Sequence, residues 1–293
     1  MSRSVKVIAE GLRFGEAPRW RDGRLWLSDF FDHAVKSVSP AGDVRVEVEI
    51  DDQPSGLGWT PDGDLLIVSM TRRHLLRRAG DGRLTLHADL SGIAAFHCND
   101  MVVDGAGGAY VGNFGFDLHA ELTARDVASV LADHPTARLA YVAPNGAVRV
   151  AAEDMHFPNG SVITPDGRTL ILGETLGGRL TAFDIGAGGQ LTGRRVWAET
   201  GPARPPDGIC LNAAGQVWLA NPIAPECVLV AEGGAVIDVI DTGDPCFACM
   251  LGGEDGRSLF MLTAGSSDPH LGGVARTGRV LATGVDSPHA GRP

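Results

Sequence analysis

Six times along this 293-residue chain, a short turn ending in glycine leads into an apolar run. The glycines are Gly23, Gly63, Gly107, Gly167, Gly215 and Gly256, and the runs behind them include LWLS from Leu25, LLIVS from Leu65 and VWLA from Val217. Successive glycines lie 40, 44, 60, 48 and 41 residues apart. A strand-built period of about 40–50 residues points to a propeller with four strands per blade. The rest of each period fits, because strand-like segments flank a polar turn, as in AVKSVSPAGDVRVEVEI from Ala34 and GGVARTGRVLATGV from Gly272. That pattern is a hairpin signal. The expectation is an all-β fold: one six-bladed β-propeller domain over residues 1–293, with four-stranded blades. The signatures of WD40 and kelch repeats are not evident, which weakens a protein-scaffold reading.

The interval of 60 residues holds the one helical-looking stretch, DLHAELTARDVASVLADHP from Asp117 to Pro135. Leu118, Leu122, Val127, Val130 and Leu131 recur there at roughly helical spacing, so a short helical insertion in the third blade is expected. It serves either as a passive excursion or as a lid over one face of the ring.

Composition narrows the functional classes. The formal net charge of −11 argues against nucleic acid, which demands a basic face. No apolar run approaches the roughly 20 residues of a membrane span. The opening MSRSVKVIAEGLRF lacks a signal-like apolar core, and the reading is a soluble, cytoplasmic protein. The five cysteines form no disulfide framework, and Cys246-Phe-Ala-Cys249 has no second CxxC to complete a zinc site, so core-packed thiols are expected.

The repeat also carries a chemical register. Eight positions before the last five turn glycines stand Ser55, Asn99, Asn159, Asp207 and Ala248; seven before Gly23, whose turn is shorter, stands Glu16. Equivalent positions of equivalent blades face the axis, so these six side chains share one small space. Glu16, Asn159 and Asp207 are hard oxygen donors that suit one divalent cation: Ca²⁺, Mg²⁺, Mn²⁺, Fe²⁺ or Zn²⁺. Asn and Asp before Gly are common in turns, but turn chemistry alone does not place them in one register. Ser55 and Ala248 are small and leave room beside the ion.

The segments FGEAPRW (Phe14 to Trp20), CNDMVVD (Cys98 to Asp104), FPNGSVITPDGRTL (Phe157 to Leu170) and PPDGICLNAAGQVWLA (Pro205 to Ala220) resemble the motifs of the SMP-30/gluconolactonase/LRE-like superfamily. The resemblance spans nearly the whole chain in order and spacing. It implies a six-bladed propeller with one divalent metal on Glu16, Asn159 and Asp207, and Asn99 beside it contacting substrate or a metal-bound water. Members that open sugar lactones resemble Arg-x-Asn-Asp in the third blade, where this chain has His97-Cys98-Asn99-Asp100. Losing that arginine removes a donor fork. The neighbourhood of Phe96, His97, Asn113, Phe114 and Phe116 is aromatic, and the expected substrate leans toward something less polar.

The resulting expectation is a metal-dependent lactonase acting on a small-molecule lactone or ester. Asp207 is the expected general base, with Asn99 orienting the water or the carbonyl and His97, Asn113 and Phe114 lining the substrate. Three alternatives stay open: an esterase or phosphotriesterase, an isomerase or cyclase on the same site, and a non-catalytic metal- or ligand-binding propeller. No Gly-x-Ser-x-Gly elbow supports a serine hydrolase, and no G-x-G-x-x-G or Walker sequence in a βα context supports a nucleotide cofactor.

Overall fold

The computed structural model describes residues 4–268, 270 and 275–293. Its six sheets of four antiparallel strands succeed one another around a ring. The innermost strands of the first four blades are Gly15–Arg21, Pro54–Trp59, Cys98–Val103 and Pro158–Ile163; Ile209–Leu211 and Cys246–Gly252 complete the ring. Each touches the innermost strand of the next blade, and the sixth returns to the first. These strands are almost wholly buried because both flanks meet a neighbouring blade. The core sits in the layers between blades: Leu66, Met101 and Val111 pack between the second and third, and Cys210, Trp218, Met250 and Phe260 between the fifth and sixth.

The turn glycines Gly63, Gly107, Gly167 and Gly215 have φ of 90°, 91°, 73° and 74°, the left-handed region where glycine carries no Cβ penalty. They close the hairpin between the two inner strands at one end of the ring. The other end therefore collects the N-terminal ends of all six inner strands.

The sixth blade departs from the expected pattern. Gly278–Gly284 is its third strand, but the outermost strand is Lys6–Leu12, from the other end of the chain. Leu12 is buried at this seam. The first part of the hairpin expected from Gly272, namely Gly272, Gly273 and Val274, lies outside the described residues. Pairing Lys6–Leu12 with Gly278–Gly284 ties the sixth blade to the strand that leads into the first and so shuts the ring. Past the last strand, the chain crosses the turn end of the ring through bridges Asn212↔His289 and Ile163↔Arg292.

The insertion is two short helices, α1 (Leu118–Ala124) and α2 (Val127–Ala132). Asp126 breaks it, since its side chain accepts from the Ser129 N–H and caps a second helix. Only Val130 is buried. The segment leaves the third blade after Ala109–Asn113, at the end opposite the turn glycines. His134 Nε2 lies 3.0 Å from His156 Nδ1, in the loop that enters the fourth blade, and ties the insertion to it. Among the described residues no helix is long and apolar enough to cross a membrane.

Candidate functional site

Glu16, Ser55, Asn99, Asn159 and Ala248 lie at or near the N-terminal ends of their inner strands, and Asp207 lies just before Ile209–Leu211. The repeat that sets them there is a bulge. Pairing with the second strand slips beside each position: after Glu16, Pro54, Cys98, Pro158 and Cys246. A bulge re-aims a side chain and ends regular pairing, so one irregularity repeated in five blades sets their side chains alike, while in the fifth blade Asp207 stands just before a regularly paired strand.

The glycines of Asn159-Gly160 and Asp207-Gly208 have a structural reason of their own. A Cβ on Gly160 would stand 2.5 Å from the Asp207 carbonyl oxygen, and one on Gly208 would stand 2.7 Å from Ala248 Cα. Only glycine lets adjacent inner strands approach this closely. Their backbones then hydrogen-bond across blades, Gly160 N–H to Asp207 O at 3.2 Å and Gly208 N–H to Phe247 O at 2.9 Å.

Electrostatics shows which groups converge. Burial pushes the Glu16 carboxyl well up, and Asp207 and Asp100 add repulsion; the Ala17 N–H and Arg19 work the other way. Burial also raises Asp207, with Asp100 adding to it, against hydrogen bonds from Asn159 and Gly208 N–H. Arg19, the nearby cation, is already committed. Its guanidinium donates to Asp100 Oδ1 at 2.7 Å, to the carbonyls of Met101 and Leu57 at 2.6 and 2.9 Å, and to that of Pro18 at 2.8 Å. With Asp100 matched to Arg19, Glu16 and Asp207 remain as two buried carboxylates without a counter-charge.

The donor set fits a divalent cation. Glu16 uses one oxygen on the Ala17 N–H at 3.0 Å. Asn159 gives its NH₂ to Thr175 Oγ1 at 3.2 Å and to Asp207, which leaves its carbonyl oxygen free. Two carboxylates and an amide oxygen neutralise a 2+ charge with hard donors. Among the described residues no three His, Cys, Asp or Glu side chains cluster as a metal site would, so a cation held here would draw on the Asn159 amide oxygen as well as the two carboxylates.

Exposure separates these residues from structural polar groups. Glu16, Asn99, Asp100, Asn159 and Asp207 keep 5–7% of their surface open, whereas Asp29, Glu174 and Asn221 keep 0%. The Asn99 side chain makes no hydrogen bond to the described residues, so its amide is available to a ligand.

The expected substrate-lining residues divide. His97 is half-buried and stacked on Phe96 at 4.0 Å between centroids. Burial lowers its pKa against the opposing pull of Asp52 and Asp117, and the ring is neutral near pH 7. Phe114 lies 6.1 Å from His97 and 4.4 Å from Phe157. Asn113, in contrast, has both amide groups engaged inside the third blade, donating to Arg138 O at 2.7 Å and accepting from Gly115 N–H at 3.0 Å. Sequence reasoning missed Arg19 and Asp100 as a unit, although both stand in quoted motifs. All five cysteines are buried and free, as core thiols.

The chain is similar to known proteins over most of its length. The family model described as "SMP-30/Gluconolactonase/LRE-like region" matches residues 14–265. Regucalcin of Gallus gallus is 24% identical, covering 92% of this chain and 93% of its own. Among solved structures, a calcium-binding regucalcin of Agrobacterium tumefaciens aligns with TM-score 0.79 at 22% identity, covering 99% and 97% of the two chains. A gluconolactonase of Xanthomonas campestris aligns with TM-score 0.73 at 21% identity, covering 96% and 89%. Motifs, ring and match over most of the chain together identify it: the chain belongs to the SMP-30/gluconolactonase/LRE-like family.

Proposed function

We infer that this protein is a divalent-cation-dependent hydrolase that opens the ring of a small lactone. The observation that carries the reading is the pair of buried carboxylates, Glu16 and Asp207, whose neighbouring cation Arg19 is bound to Asp100. Glu16, Asn159 and Asp207 would hold the ion, which when bound polarises a carbonyl and lowers the pKa of a coordinated water. Asp207 would take the proton of the attacking water at its carboxylate and pass it to the ring oxygen as the acyl C–O bond breaks. Asn99, with no protein partner, donates its amide N–H to the carbonyl oxygen and steadies it as charge develops. The wall around His97 and Phe114 excludes bulk water from the carbonyl. A reducing compartment such as the cytoplasm suits the five free thiols.

The test is metal content and initial rate on a lactone panel after chelation and restoration of Ca²⁺, Mg²⁺, Mn²⁺ or Zn²⁺. Full activity in a metal-free Glu16→Gln/Asp207→Asn double variant would end this reading. A second reading, a protein that binds the cation without catalysis, draws support from the hard-oxygen donor set and from a similar protein described as calcium-binding. Stoichiometric cation binding with no turnover across the panel would favour it.

A further inference from the structure

The entrance to the site is walled by aromatic rings at positions the repeat itself supplies. Two residues before Glu16, Asn99 and Asn159 stand Phe14, His97 and Phe157, one layer nearer the mouth; in the sixth blade Phe247 directly precedes Ala248. Phe14 meets Phe247 edge-on at 4.7 Å. On the far side Phe157 meets Phe114 at 4.4 Å. Phe14, Met70 and Phe247 belong to one buried cluster against which Phe114 packs, so the wall continues from the sixth blade through the first and second to the third. None of these positions carries a formal charge, and His97, its pKa lowered by burial, presents a neutral ring.

Such a wall selects by solvation. A sugar ring's hydroxyls would surrender their water here and find, apart from the two nitrogens of His97, no side-chain donor or acceptor on the wall, a penalty charged for most of them. A flat apolar ring meets no such penalty and gains edge-to-face contacts. We propose that the protein acts on lactones whose ring is fused to, or bears, an aromatic group, held between the Phe14–Phe247 pair and the His97–Phe114–Phe157 wall. The proposal rests on the hydrolase reading for its chemistry, but the recognition it describes does not depend on turnover.

The experiment therefore has two arms. In the first, cation-restored protein is given a benzo-fused six-membered lactone and a polyhydroxylated six-membered lactone. The benzo-fused compound should show at least about tenfold higher kcat/KM. Phe114→Ala should cut that preference about tenfold, mainly through KM, with Phe114→Leu falling between; thermal melting checks that both variants fold. In the second arm, binding of the two corresponding lactams, which are not cleaved, is measured by calorimetry. The benzo-fused lactam should bind more tightly, and Phe114→Ala should weaken it.

A preference for the polyhydroxylated lactone overturns the proposal. So does lactam binding that is indifferent to Phe114→Ala and Phe247→Ala. If the benzo-fused lactam binds as expected while neither lactone is opened, recognition stands and the hydrolase reading falls.

Discussion

Arg19 is confined to the floor of the channel by four hydrogen bonds reaching the first, second and third blades. Its partner Asp100 is as buried as Arg19 itself, at 6% and 5% side-chain exposure. Arg19→Met would leave Asp100 buried and unpaired, at a cost of about 3–5 kcal/mol, seen as a large fall in the chemical unfolding midpoint. Glu16 and Asp207 predict the opposite. Without a cation these two buried carboxyls repel, so Glu16→Gln should stabilise the chelated protein, by on the order of 1 kcal/mol. The same variant should lose the rise in melting temperature that added cation gives the wild type. A cation-induced rise that survives Glu16→Gln would remove that residue from the donor set. The common offset before the turn glycines exposed Glu16, Asn159 and Asp207 in the sequence. The Arg19–Asp100 pair was not legible, because its members stand 81 residues apart and neither repeats in other blades.

At the scale of the element, each second strand ends in a buried polar residue: Asp29, Ser69, Asn113, Glu174, Asn221 and Thr263. The first, third and fourth of these secure the loops that form the mouth. Asp29 accepts from Phe14 N–H at 2.9 Å and from Lys36 Nζ at 2.7 Å, and Glu174 accepts from His156 N–H at 2.8 Å, from Arg179 and from Thr181. Asn113 is the third-blade member, which explains why its amide is turned inward. The sequence did carry this ring, six or seven residues after each turn glycine. Six different blades fill it with five residue types, so no motif stands out.

Glu174 makes the ring testable by pH. Burial alone would raise its pKa, but hydrogen bonds from Arg179, Thr181 and His156 N–H outweigh burial and hold it below its ordinary value. A carboxyl depressed in the folded state stabilises above its unfolded pKa of about 4.3, and that contribution is lost as pH falls through the lower folded value. Glu174→Gln should therefore cost about 3 kcal/mol at pH 7, with a smaller difference from wild type at pH 3. An equal difference at both pH values would show that the charge contributes nothing. The insertion teaches a related lesson about local signals. Its apolar spacing suggested helix, and helix it is, but the cap at Asp126 divides it.

For the molecule as a whole, the seam in the sixth blade closes the ring. Hydrophobic periodicity revealed six units, but periodicity has no term for which end of the chain supplies the last strand. Removing residues 4–12 should uncover the edge of Gly278–Gly284 and lower the melting temperature by more than 10 °C on the scale of roughly 2–4 °C per kcal/mol, with aggregation visible by light scattering. A truncated protein that melts like the wild type would show the seam to be dispensable.

That seam also bears on the cation site. Glu16 lies in the first blade and Asp207 in the fifth, on either side of the blade that Lys6–Leu12 and Gly278–Gly284 complete together. A cation site that draws on both would therefore be finished only when that blade closes, so cation affinity would report closure of the ring.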